Sequence, residues 1–149
     1  MSHAQRAVEL FEKGYNCAQA VFTAFCDVMG LEEEAALRLS SSFGGGMGRM
    51  REVCGAVSGA FMVLGMLYGY SDLDPESKKA HYALIRGAAE KFKEQNGSII
   101  CRELLSGAGV DSSAGGEPEK RTEAYYKKRP CRELVEIAAQ IVDDIIESR

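Results

Sequence analysis

The stretch VCGAVSGAFMVLGMLYGY, Val53 to Tyr70, carries no charged residue and is apolar or small on every face. A helix that is apolar all round has two places to go, the centre of a packed bundle or a lipid bilayer. Gly55, Gly59, Gly65 and Gly69 dilute its hydrophobicity, and it is barely long enough to cross a membrane. The expectation is therefore a buried central helix and no membrane span. Its Gly-x-x-x-Gly pairs let neighbouring helices approach closely. Each glycine costs roughly 1 kcal/mol of helix propensity relative to alanine, which close packing or room for a bound group has to offset.

Helical apolar spacing recurs along the rest of the chain, and no segment shows sustained strand alternation. Ser2 with Gln5, and Asn16 with Gln19, are capping boxes that open two helices ending at Gly14 and Gly30. Their expected buried stripes are Ala4, Ala7, Val8 and Phe11, then Ala18, Val21, Phe22, Phe25, Cys26 and Met29. A third helix opens on Glu32, Glu33 and Glu34, presents Ala36, Leu39 and Phe43, and gives way to the loop GGGMG, Gly44 to Gly48.

Beyond the central helix, Asp74 and Pro75 start a helix through about Gln95, with His81, Leu84, Ile85, Ala88 and Phe92 on one side. Ser98 is the expected cap of a short helix that holds Cys101 and stops at Gly107. Residues 107 to 120 are small, polar and glycine-rich, the composition of a mobile loop. The last helix starts at Pro130 and buries Leu134, Val135, Ala138, Ile141, Val142 and Ile145. The fold class that follows is all-α, a single-domain helical bundle over residues 1–149. Its length of 149 residues and 46% hydrophobic content suit one core.

A net charge of -4 leaves no global basic field for a phosphate backbone, so nucleic acid is not an expected partner. The opening MSHAQRAVELFEKG is an amphipathic helix start without an apolar leader core, and a cytoplasmic protein is expected. In a reducing compartment, five cysteines are better read as free thiols, metal ligands or a redox pair than as permanent disulfides.

The tetrapeptide Cys-Arg-Glu-Leu occurs twice, at residues 101–104 and 131–134. Chance alone can produce such an echo, but it belongs to a wider placement. Cys17 follows the Asn16 cap, Cys54 follows the glycine loop, Cys101 follows Ser98, and Cys131 follows Pro130. All four fall where a helix begins, where unpaired N–H groups and the positive dipole end favour thiolate over thiol. Arg102, Arg132, Lys127, Lys128 and Arg129 add positive charge near two of them. Cys26, on an apolar stripe, is assigned to the core.

The segments GYNCAQAVF and FGGGMGRMREVCGAVSGAFMVLGMLYG, followed by Cys101 and Cys131, resemble the redox-active protein family labelled C_GCAxxG_C_C. Its motif falls on Cys54, Gly55, Ala56 and Gly59, although the label spells Gly-Cys-Ala where this chain has Val53-Cys54-Gly55-Ala56. The resemblance implies a small redox-active protein, often associated with transporter genes, with no defined reaction.

Three readings of the residues stay open. Cys17, Cys54, Cys101 and Cys131 can carry thiol–disulfide exchange with a redox partner, any pair forming by tertiary contact because no Cys-x-x-Cys exists. The same four can converge as ligands of an iron–sulfur cluster or another cysteine-bound metal, whose negative charge four helix N-termini would offset. Alternatively, GGGMGRMR can form a module for a small-molecule or anionic ligand, with Gly45, Gly46, Arg49, Arg51 and Gly55 as binding residues. The residues do not choose between an oxidoreductase and an electron-transfer protein. Hydrolytic chemistry is disfavoured, since His3 and His81 are the only histidines and neither belongs to a Ser-His-Asp or His-Glu-x-x-His set.

Overall fold

The computed structural model describes all 149 residues. In chain order the helices are α1 (His3–Glu12), α2 (Cys17–Ala24), α3 (Cys26–Met29), α4 (Glu33–Ser40), α5 (Gly55–Tyr68), α6 (Pro75–Asn96), α7 (Cys101–Gly107), α8 (Glu123–Lys128) and α9 (Cys131–Glu147). A single 3-10 turn, Ser41–Phe43, follows α4. The protein is all-α, and no helix is long and apolar enough to cross a membrane.

Local sequence sets most helix starts. Both capping boxes form: Ser2 Oγ accepts the Gln5 N–H while Gln5 accepts the Ser2 N–H, and Asn16 and Gln19 repeat the arrangement. Asp74 caps α6 with Pro75 in its first turn. Ser98 does not cap α7; that position belongs to Ile100. Instead the Ser98 hydroxyl accepts the Ile100 N–H and donates to Glu103, bracing the approach to the helix. The expected second helix is split at Phe25, whose ψ of 15° leaves the helical range. The six-residue α8 was not anticipated.

The core is one cluster of 29 buried residues, dominated by α1, α2, α5 and α9. Every residue expected on the inner face of α9 is buried. α1 buries Leu10, whereas Val8 is half-buried. Leu39, expected inside, is exposed; Ser40 takes the inner position and satisfies its hydroxyl on the Ala36 carbonyl at 2.7 Å. On α6 only Ala88 and Phe92 are buried, so its first half lies on the surface.

The central helix needs a similar correction. Gly55 to Ala60 are all buried, but Met66 is exposed and Leu67 and Tyr68 are half-covered. Close approach is confined to the first half of α5. A Cβ on Gly55 would sit 3.0 Å from the Phe43 carbonyl oxygen and 3.1 Å from the Ala18 amide nitrogen, whereas one on Gly65 would meet nothing within 4 Å. The buried glycine edge of α5 is thus where α2 lies against it, and α2 brings Cys17 with it.

Candidate functional site

One backbone pairing and one set of side-chain bonds assemble the four helix starts. Residues 51–54 run alongside 99–102: the Cys54 N–H donates to Ile99 at 2.8 Å, the Cys101 N–H to Glu52 at 2.6 Å, and the Arg102 N–H to Arg51 at 3.2 Å. Val53 and Ile100 form an isolated antiparallel bridge there, which joins the start of α5 to the start of α7. On the other side, Arg121 donates to the carbonyls of Phe11 (3.1 Å) and Tyr15 (2.9 Å), and the Tyr126 hydroxyl donates to Glu12 (3.2 Å). These contacts hold α8 on the end of α1 and deliver Cys131 to the neighbourhood of Cys17.

The result is a cavity of ≈ 390 Å³ into which Cys17, Cys54, Cys101 and Cys131 all open. Gly45, Gly46, Arg49, Arg51 and Gly55 line the same cavity, so the cysteine set and the glycine-loop set are one place. Cys26 lies elsewhere, half-buried beside Asp27 and Glu33, and is not the fully covered core residue expected. All five cysteines are free thiols.

Their electrostatics differ. Burial pushes the Cys54 thiol up to about 12, although it is the N-cap of α5 and the Val57 and Ala56 amides work in the opposite direction. Burial likewise raises Cys101, partly offset by the Arg51 guanidinium, whose Nη1 donates to Cys101 Sγ at 3.7 Å. Cys17 and Cys131 shift each other in opposite directions, a mutual hydrogen bond being the first cause at both. The bond raises Cys17 well above its ordinary value, reinforced by burial. It lowers Cys131 to about 7; burial opposes this, and Arg129 and Arg121 assist it. The expectation of four activated thiolates at four helix ends therefore reduces to one. Desolvation of a buried sulfur outweighs the dipole at Cys54 and Cys101, and the Cys131 hydrogen bond does so at Cys17.

The glycine loop beside these cysteines has an unusual backbone. Gly45, Gly46, Met47, Gly48 and Arg49 hold consecutive φ values between 58° and 70°, and Arg51 adds another at 62°. Left-handed backbone costs roughly 1–2 kcal/mol at a non-glycine residue, so Met47, Arg49 and Arg51 are strained positions. At Gly46 no side chain could be accommodated: a Cβ would stand 2.7 Å from Cys101 Cβ and 2.8 Å from Arg51 Cα. The N–H groups of residues 47 to 52 all donate to carbonyls of residues 42 to 47. Those six amides are spent inside the loop.

Four arginines line the cavity, Arg49, Arg51, Arg121 and Arg129, against one carboxylate, Glu119. Arg51 is 2% exposed and donates to the Ser113 carbonyl as well as to Cys101. Arg49 donates to the Gly115 carbonyl at 2.6 Å, and the Gly115 N–H returns a bond to the Arg49 carbonyl at 2.9 Å. Residues 107–120 are thus fastened at Ser113 and Gly115 to the strained loop. Arg129 pairs with Glu119 at 2.6 Å and lies over the Tyr125 ring at 4.7 Å. Arg102 and Arg132, the arginines of the repeated tetrapeptide, are exposed and bond to Met50 and Glu12 outside the cavity.

Arg121, Tyr125 and Glu119 are lining residues that the sequence reading did not single out; the basic, tyrosine-containing composition of residues 121–129 was the available signal. No three histidine, cysteine, aspartate or glutamate side chains are grouped closely enough to hold a metal ion in this arrangement.

No solved structure matches the chain. An uncharacterized protein of Archaeoglobus fulgidus is 25% identical over 146 residues, spanning 92% of this chain and 88% of its own. The cysteine-lined cavity is built from Cys17, Cys54, Cys101 and Cys131, and residues 15–145, which include all four, match the family model described as "Putative redox-active protein (C_GCAxxG_C_C)"; the chain belongs to that family.

Proposed function

We propose that the protein carries out thiol–disulfide exchange, with Cys131 as the attacking thiolate and Cys17 as the resolving thiol. What supports this reading is that Cys17 and Cys131 open on one cavity together with Arg121 and Arg129, and that Cys17 and these arginines lower Cys131 to about 7 while Cys17 itself is raised. Cys131 attacks one sulfur of a disulfide and expels the other half as a thiolate. Cys17 then gives up its proton, attacks the Cys131 sulfur and expels the second half. Two electrons leave the protein thiols, and a Cys17–Cys131 disulfide remains. Cys54 and Cys101 stay protonated through this step.

A second reading is supported by the opening of all four thiols on one cavity: Cys17, Cys54, Cys101 and Cys131 as ligands of an iron–sulfur cluster or another metal. It requires the sulfurs to close up from their present spacing. The two separate in one experiment, anaerobic purification followed by iron, sulfide and zinc analysis and by thiol counting before and after mild oxidation. Metal-free protein that loses two thiols reversibly, mapped to Cys17 and Cys131 by mass spectrometry, is the expected result. Stoichiometric iron and sulfide would overturn the exchange reading in favour of the cluster.

A further inference from the structure

Resting on the exchange reading, we propose that the cavity selects a small anionic disulfide, one with a carboxylate or comparable group beside its S–S bond. Size is the first argument. Cys131 and Cys54 are 8% and 5% exposed, so a disulfide on a folded protein surface cannot reach the attacking sulfur, while ≈ 390 Å³ admits a small molecule. Charge is the second. Four guanidinium groups face one carboxylate here, in a chain whose net charge is -4. Arg49, Arg51 and Arg121 have no carboxylate partner at all.

The third argument is an unfilled bond. Arg129 is 7% exposed, and its Nε–H is buried with no acceptor. A buried donor left unpaired on a charged group is costly unless something supplies the acceptor. With the amides of residues 47 to 52 consumed by loop carbonyls, the arginine side chains are the charged recognition elements.

In the chemical step the Cys131 thiolate forms a bond to one substrate sulfur, the substrate S–S bond breaks, and an anionic thiolate leaves. Cys17 resolves the mixed disulfide as the second thiolate departs, and the Cys17 proton ends on a product thiol. The arginines hold the substrate carboxylates throughout and offset the charge of each departing thiolate.

The test uses reduced full-length protein in single turnover with three probes: dithiodipropionate (anionic), hydroxyethyl disulfide (neutral) and cystamine (cationic). Each rate is divided by that of the same probe with a simple free thiol, which removes differences in intrinsic reactivity. Dithiodipropionate should react at least about tenfold faster than hydroxyethyl disulfide, the worth of one charge-assisted hydrogen bond, and cystamine should be slowest. Added salt should compress the ratio, a readout that needs no variant. Arg129→Met should abolish most of the preference and Arg129→Lys should restore part of it. Suberate, the carbon analogue of the anionic probe, should bind a Cys17→Ser/Cys131→Ser double variant. Equal normalised rates for all three probes, with no suberate binding, would overturn the anion inference and leave thiol exchange standing. Suberate binding with no disulfide consumed would overturn the exchange reading and leave the anion site.

Discussion

Replacing Cys17 with alanine removes the largest influence on Cys131 and leaves both arginines in place. Cys131 stands at about 7 against an ordinary 9.0, with the Cys17 hydrogen bond as the first cause. Two units correspond to about 3 kcal/mol of preference for the thiolate. If the whole shift is lost, the ionised fraction at pH 7 falls from about one half to about one hundredth. The more basic thiolate is also a better nucleophile, by about eightfold for a two-unit rise at a Brønsted slope near 0.45. The net expectation is alkylation of Cys131 slowed only about sixfold at pH 7, and accelerated about sevenfold at pH 10, so that the two pH–rate curves cross near pH 8. Peptide-resolved mass spectrometry of iodoacetamide labelling follows Cys131 by itself, and Cys26→Ser is the control that should leave its curve unmoved. Parallel curves with no crossing, or a Cys131 midpoint unchanged in Cys17→Ala, would refute the influence of Cys17 on Cys131.

Packing and the remaining titration are tested separately. Gly55→Leu forces a side chain against the Phe43 carbonyl and the backbone of α2, and should cost about 1–3 kcal/mol in urea unfolding, whereas Gly65→Ala, facing open space, should be neutral or stabilising; the reverse order would mean that the close helix approach lies elsewhere. Burial pulls His3 down, but its hydrogen bonds to Asp143 at 2.6 Å and Asp27 at 2.9 Å outweigh this and raise its pKa above 6.5. The stabilisation from charged His3 is therefore fully present below pH 6.5 and is lost as pH rises through the raised folded value. The stability gap between wild type and His3→Ala, measured by urea unfolding, should shrink from about pH 5.5 to pH 8.5, and a constant gap would refute the linkage.

The site was legible in the sequence to an unusual extent in its membership and poorly in its chemistry. Asn16, Pro130 and the glycine loop mark helix starts by local rules, and local rules put Cys17, Cys54, Cys101 and Cys131 beside them. Helix-end placement also suggested four acidic thiols, and there the inference failed. A dipole is a local property, but desolvation depends on what the rest of the chain lays over the sulfur. Cys54 heads α5, yet its enclosure by the surrounding structure takes it to about 12. In the glycine loop, composition predicts freedom, while the bonds that spend the amides of residues 47 to 52 on loop carbonyls are fixed by the fold around it.

By itself the sequence determined the all-α class, the capping boxes, the inner face of α9 and the burial of the first half of α5, because each depends on periodicity and on side chains within a few residues of one another. Only the tertiary structure decided which cysteine is activated and by what. Cys17 and Cys131, 114 positions apart, shift each other's titration in opposite directions. Arg121 and Tyr126 fasten α8 to the end of α1, and the 51–54 and 99–102 segments pair through a bridge that no pattern announces. Such contacts depend on the path of the backbone through space, and an atom's charge state depends on everything within a few ångströms of it, whatever its distance along the chain.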